Sequence, residues 1–105
     1  MATTVYKIFT STGMPPGATW NFTWNNVPDG KAYAVSADPF YPGSYQEGYG
    51  STTEVEITRF WRRTRAIQKQ GSIGVTVEVH KDVLGQIKNV GGHTFNFDMY
   101  LVVFS

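Results

Sequence analysis

The segment Ala18-Thr19-Trp20-Asn21-Phe22-Thr23-Trp24-Asn25 alternates strictly between apolar and polar side chains. Successive side chains of a β-strand point to opposite faces, so this period of two predicts a strand with one buried face and one exposed face. On such a strand we expect Trp20, Phe22 and Trp24 to lie in the core. The alternative is that the three rings form an exposed platform for a ligand.

The same kind of pattern recurs along the chain and extends the prediction. Four further runs are rich in alternating, β-branched or aromatic residues, namely residues 5–10, 31–37, 75–79 and 95–104. Turn residues such as Pro28-Asp29-Gly30 separate them. The last run is apolar on both faces from Tyr100 to Phe104. It must therefore be covered on both sides, either by a central position in a sheet or by another subunit.

Residues 53–70 permit two interpretations. The first residues alternate as in a strand, with Val55 and Ile57 on one face, and the alternation breaks at residues 59–61, which indicates a bulge. A helix would instead build an apolar face around Phe60. The initial alternation and the turn signal at the end of the segment favour the strand.

Length and composition set the fold class. The chain has 105 residues and no cysteine, which predicts a single domain over residues 1–105 with neither a disulfide nor a thiolate metal site. About seven short strands with turns between them predict an all-β fold, an antiparallel β-sandwich. An immunoglobulin-like or fibronectin-like arrangement is the first expectation at this length, and a jelly roll is the alternative.

Charge and hydropathy limit the partners. A formal net charge of +1 argues against nucleic-acid binding through overall charge. The sequence has no stretch typical of a secretory signal and no apolar run as long as the ~20 residues of a membrane helix. We therefore expect a cytoplasmic location, with export by another route left open.

Groups suited to catalysis or metal binding are few. His80 falls on the polar face of a valine run and His93 follows two glycines, so both are expected to be solvated. Glu54 and Glu56 share one strand face, whereas the carboxylates of a glycosidase face each other across a cleft. We therefore expect no enzymatic activity, no cofactor and no metal site.

A basic cluster lies in the middle of the chain. It contains all the arginines of the sequence, Arg59, Arg62, Arg63 and Arg65. Guanidinium groups bind carboxylates, sulfates and phosphates, which suits an acidic sugar or an anionic membrane surface. The favoured interpretation is an edge strand protected by charge. Its arginines would then pair with acidic residues on neighbouring strands, the candidates being Glu47, Glu54, Glu56 and Glu78.

Residues 38–50 have the composition of a long functional loop, with two prolines, three glycines and four aromatic residues. Rings can stack on sugars while carboxylates and amides bind hydroxyl groups. We therefore predict a non-catalytic, lectin-like module that binds a carbohydrate or glycoconjugate. Its ligand-binding residues would be Asp38, Tyr41, Tyr45, Gln46, Glu47 and Tyr49, with Trp61, Arg62 and Arg63 adding selectivity for an acidic sugar.

Two other interpretations of these features stay open. The rings of residues 38–50 could fold back and cover one end of the sandwich. The protein could also be a self-assembling structural or interaction subunit, expected to be a homodimer because the apolar end of the last run needs a cover. Its loops would then contact a protein or, peripherally, an anionic membrane.

Overall fold

The computed structural model describes residues 2–41 and 52–104. These residues form six strands: β1 (Thr3–Met14), β2 (Thr19–Val27), β3 (Ala32–Phe40), β4 (Val55–Gly71), β5 (Gly74–Asn89) and β6 (Phe95–Phe104). Paired strands are antiparallel throughout. The first sheet has the order β1-β6-β3 and the second has the order β2-β5-β4. Within the described ranges the structure has no helix, and so none that could cross a membrane.

The prediction of an antiparallel all-β fold is confirmed. Six strands are present in the described residues where about seven were expected, and the immunoglobulin or fibronectin arrangement stays a prediction. The strand interpretation of residues 53–70 is also confirmed. The bulge of β4 lies between Ile57 and Arg59, slightly before its expected place.

The two sheets pack face to face on a shared core. Phe22 and Ile87 of the second sheet meet Phe97 and Met99 of the first, and all four are buried. The half-buried ring of Trp20 lies 6.1 Å from that of Phe97. The alternation in β2 therefore turns its aromatic residues inward, as expected. Burial of each such side chain contributes about 1.5–3 kcal/mol to folding.

The closing strand β6 is the central strand of the first sheet, with β1 on one side and β3 on the other. Leu101 is buried against the second sheet, and Val102 and Phe104 on the outer face are half-buried. Of the two covers considered for this strand, the central position applies. The outer face of β6 is only half-buried by these neighbours, so the expectation of a dimer stays a prediction.

Strands β4 and β5 extend far beyond the packed sheets. They contain 17 and 16 residues, and β2 pairs with β5 only from Lys88 back to Lys81. Beyond that point, within the described part of the chain, residues 65–71 and 74–80 pair only with each other, as a two-stranded ribbon closed by the turn Ser72-Ile73. We call this ribbon the arm, and its projection gives the molecule principal extents of 68 × 31 × 21 Å.

Candidate functional site

A buried carboxylate marks the base of the arm on the outer face of the second sheet. Asp82 is fully buried and accepts hydrogen bonds from Nε of Arg63 at 2.8 Å and Nε of Arg65 at 2.6 Å. Nη2 of Arg65 donates a further bond at 2.9 Å. The bonds from Arg65, followed by those from Arg63 and the backbone of Asn26, outweigh desolvation and hold the pKa of Asp82 well below its usual range.

The end of β2 is shaped to complete this cluster. A bulge between Trp24 and Val27 puts Asn26 at a φ of 60°, a left-handed conformation that asparagine tolerates better than most residues. Its backbone N–H then donates to Asp82 at 3.2 Å, and its side-chain oxygen accepts a bond from Arg65 at 3.1 Å. Strand β2 therefore ends beside the ion cluster, and only β4 and β5 continue beyond it.

The other two arginines also contact their own chain. Arg62 points to the inner face, where it donates to the carbonyl of Lys31 at 2.9 Å and lies 4.8 Å from the ring centroid of Tyr33. Arg59 lies 4.4 Å from the ring centroid of Trp61. The four arginines thus stabilise the edge strand of the second sheet and its attachment to the first.

The expected pairing of these arginines with Glu54, Glu56 or Glu78 was wrong, and the fourth expected partner, Glu47, lies outside the described residues. Arg63 and Arg65 pair with Asp82, whereas Glu78 contacts Lys69 at 3.0 Å and His80 at 3.2 Å. The reason is the register of the hairpin. Gly71 pairs with Gly74 across a two-residue turn, and counting back from that pair places Asp82 opposite Arg63. The pairing of Asp82 with Arg63 could therefore be predicted from the sequence once the turn was located.

The predicted ligand-binding residues lie in three places. Four of them, Tyr45, Gln46, Glu47 and Tyr49, fall outside the described residues. Asp38 and Tyr41 lie at the end of the sheets farthest from the arm, and the ring of Tyr41 is 5.0 Å from that of His93. Trp61, Arg62 and Arg63 lie on β4.

The structure separates the arginines from the start of the predicted loop. Arg62 contacts Tyr33, which lies five positions before Asp38 on β3, roughly 16 Å along the strand. Arg62 and Arg63 also point to opposite faces of the second sheet, since Arg62 reaches Tyr33 inside and Arg63 reaches the outer Asp82. These side chains therefore do not form one binding surface with Asp38.

An apolar cleft of about 260 Å³ opens between the two sheets beside the base of the arm. We call it the end cleft, and its main walls are Tyr6, Trp24, Val27, Tyr33, Leu101 and Val103. The hydroxyl of Tyr33 donates to the carbonyl of Pro28 at 2.6 Å, and burial raises the pKa of this phenol. Because that hydroxyl is already bonded, the cleft suits an apolar group.

A second cavity, of about 300 Å³, adjoins the end cleft and shares Lys31 with it. Its charged groups contact one another. Lys81 donates to the hydroxyl of Thr64 at 2.8 Å and lies 3.8 Å from Asp29, and Arg62 is held by the contacts described above. These internal contacts compete with any anion that would enter the cavity.

The arm has two unlike faces. Val75, Val77 and Val79 lie on one face and are between 54% and 60% exposed. Their partners across the ladder are uncharged, in the order Gln70, Gln68 and Ala66. We call this surface the valine face. The opposite face carries the Lys69, Glu78 and His80 contacts, with hydrogen bonds from Lys69 and then His80 lowering the pKa of Glu78.

The valine face continues the inner face of the second sheet. Strand β5 runs without a bulge from Val75 to the core residues Val83 and Ile87, so all of them point to the same side. Past the end of the first sheet this side has no covering layer among the described residues. Sequence reasoning identified the valines as a strand but did not foresee their exposure.

The candidate site is therefore the recess formed where the first sheet ends above the longer second sheet. The valine face forms its floor, the end of the first sheet forms its wall, and the end cleft opens between them. Comparisons with known proteins add no assignment to this geometry. No protein-family model matches the chain, and neither the curated proteins nor the solved structures gave a match.

Proposed function

We propose that this protein is a non-catalytic, self-assembling structural subunit whose arm packs against a second copy of the chain. The observation that carries the proposal is the valine face. An isolated two-stranded ribbon is at best marginally stable in water, and this one exposes three valines on one side. These valines form a continuous row with no covering layer among the described residues, and packing against another protein would remove their apolar surface from water.

A second copy is a suitable occupant because the valine face is self-complementary. It is flat and uncharged, so two copies can meet without bringing like charges together. The side chains of two stacked sheets interdigitate at a spacing of ~10 Å. A two-fold axis through the arms would bring the same surface of each copy into contact, which is the commonest symmetry of homo-oligomers.

We infer further that the two sheets form a sandwich of the jelly-roll kind. The orders β1-β6-β3 and β2-β5-β4 arise when one long hairpin of paired strands is wound around itself. This winding favours the jelly roll over the immunoglobulin-like arrangement. Jelly rolls occur in both viral capsid proteins and lectins. The fold therefore suits either of the functions considered and does not decide between them.

The mass of the protein in solution tests the proposed assembly. We expect light scattering to give a dimer for the unmodified chain and a monomer for the triple variant V75T/V77T/V79T. Threonine keeps the branched shape that a strand prefers while making the face polar. The matched control is Val90→Thr, since Val90 is 42% exposed at the end of the sheets away from the arm. A monomeric unmodified chain, or a dimeric triple variant, would refute the proposal.

Carbohydrate binding is a second candidate function, supported by the ends of the predicted loop. Tyr41 and Thr52 flank residues 42–51, and both contact the turn at residues 91–93: Tyr41 through the ring of His93, Thr52 by accepting a hydrogen bond from Gly92 at 3.2 Å. This turn lies at the end of the sheets away from the arm. A sugar site there would leave the arm free for assembly.

Calorimetry with simple neutral and acidic sugars tests this second candidate. We expect binding in the millimolar range that Tyr45→Ala and Tyr49→Ala abolish, since stacking on rings would supply most of the contact. Val75→Thr on the arm serves as the control and should bind as the unmodified chain does. If no sugar binds at millimolar concentration, the candidate is rejected and self-assembly is unaffected.

A further inference from the structure

The turn at the tip of the arm carries an exposed apolar side chain. Ile73 is 99% exposed and occupies the two-residue turn between Gly71 and Gly74. Turns of this length favour glycine, asparagine, aspartate and serine, so local conformation does not explain an isoleucine here. The residue ends the ribbon whose valine face is also uncovered.

The end cleft has the properties of a receptor for such a side chain. Its walls are mostly aromatic and aliphatic, with Thr4 and Lys31 as the polar lining residues, its volume is about 260 Å³, and it opens at the base of the arm. Tyr6 at its rim is 51% exposed, so the cleft is accessible from outside. A branched aliphatic side chain is small enough to enter it and would contact the aromatic and aliphatic walls, with the hydroxyl of Tyr33 already bonded to Pro28.

The arm is long enough for the tip of one copy to reach the end cleft of a second copy. About eight residues separate the base pair Thr64–Lys81 from the turn, which gives a reach of roughly 26 Å. When two arms stack antiparallel with full overlap, each tip arrives at the base of the other arm. The incoming arm lies ~10 Å above the second sheet, level with the first sheet, whose end is one wall of the cleft.

The area of the stack shows why a contact at the tip is needed. The valine face is roughly 23 Å long and 10 Å wide, or about 230 Å² per copy. A stable interface buries about 800 Å² per partner. The stacked arms alone fall well short of this, and surface buried at both ends of the stack would reduce the shortfall.

We infer that the end cleft of one copy binds Ile73 of a second copy. By two-fold symmetry each copy supplies one anchor and one cleft, so the contact occurs twice. The residues that dominate binding energy at interfaces lie in well-packed, desolvated pockets, and the end cleft would give Ile73 such a place, with the aromatic rings of Tyr6, Trp24 and Tyr33 around it. This inference rests on the proposed self-assembly and names the residue and the cleft that would complete it.

Cross-linking tests the inference directly because the chain contains no cysteine. Thr4 lines the cleft, so a protein with Thr4→Cys is mixed with one carrying Ile73→Cys and oxidised. A disulfide needs Cα atoms within about 7 Å, so we expect a linked heterodimer. The control is Val90→Cys, which is exposed at the end of the sheets away from the arm and should not link to position 73.

The outcomes separate the two proposals. A dimer that links positions 73 and 4 supports both, and Ile73→Ser should then weaken dimerisation at least tenfold while Ile73→Leu preserves it. A dimer in which these positions fail to link, or in which position 73 links to itself, overturns the inference and leaves the self-assembly proposal standing. A monomeric unmodified chain overturns both.

Discussion

Nε of Arg65 lies 2.6 Å from Oδ2 of Asp82, a carboxylate with no exposed surface, at the residue where the three-stranded part of the second sheet becomes a two-stranded arm. Arg63 binds the same oxygen at 2.8 Å. The contact joins β4 to β5 on the face opposite the valines. It therefore fixes the direction in which the arm leaves the packed sheets.

Replacement of Asp82 should destabilise the protein strongly. Asp82→Asn removes the charge of a carboxylate that has no exposed surface and that accepts hydrogen bonds from both Arg63 and Arg65, whose side chains are 42% and 32% exposed. Losing these charge-assisted bonds to a buried acceptor costs more than losing an exposed ion pair. We expect the melting temperature from circular dichroism to fall by roughly 5 °C or more. Asp29→Asn is the control, since the Asp29 side chain is 78% exposed and 3.8 Å from Lys81. Equal losses in both variants would contradict this account.

Acid should weaken the fold through the same residue. Because the pKa of Asp82 in the folded protein lies below its ordinary value of 3.8, the unfolded chain takes up a proton first as the pH falls. The stabilisation is complete well above pH 4 and is lost progressively below it. Urea unfolding across this range should show a shallower pH dependence for Asp82→Asn. A dependence as steep as that of the unmodified chain would assign the acid sensitivity elsewhere.

Gly85 should not tolerate a side chain. A Cβ at this position would overlap the ring of Phe22 and the carbonyl oxygen of Arg59. We expect Gly85→Ala to lower the free energy of unfolding by about 1–3 kcal/mol in chemical denaturation. Gly71→Ala is the matched control, because its Cβ would meet only the carbonyl oxygen of Gly74 at 3.6 Å. If the two alanine variants are equally stable, the packing of Phe22 on Gly85 is wrong.

Asn89 should stabilise the end of the sheets away from the arm. Its buried side chain donates to the carbonyls of Met14 at 3.0 Å and His93 at 2.8 Å and accepts from the N–H of Gly91 at 3.0 Å. Asn89→Ala leaves these groups unpaired and should lower the free energy of unfolding by about 1–3 kcal/mol. The exposed Asn21→Ala should have little effect in the same assay. A neutral Asn89→Ala would show that water replaces the amide.

Local pattern was sufficient to predict the strands but not their surroundings. The alternation around Phe22 correctly indicated an inward face. Val77 and Val83 belong to the same alternation and lie on the same face of β5, yet Val83 is buried and Val77 is 60% exposed. What separates them is the end of β2 at Val27, where the pairing with β5 stops. Whether a strand is covered depends on where its neighbours end. The alternation within the strand does not predict those ends.

The arginine cluster illustrates the same limit at the level of single contacts. The edge position of its strand was predicted correctly, but the acidic partner Asp82 could be identified only from the pairing register of a hairpin. The end cleft was beyond reach from the sequence, because Tyr6, Trp24 and Tyr33 come from three different strands. Contacts within one hairpin are predictable once its turn is known, whereas contacts between sheets require the topology.

Hydrogen exchange of the arm amides at low and high protein concentration tests the central claim most directly. If the arm packs against a second copy, the backbone amides of residues 66–70 and 75–79 should become more protected as the concentration rises through the dimerisation range. Amides of the core strand β6 should exchange at the same rate throughout. Arm amides whose exchange is rapid and independent of concentration would contradict the account.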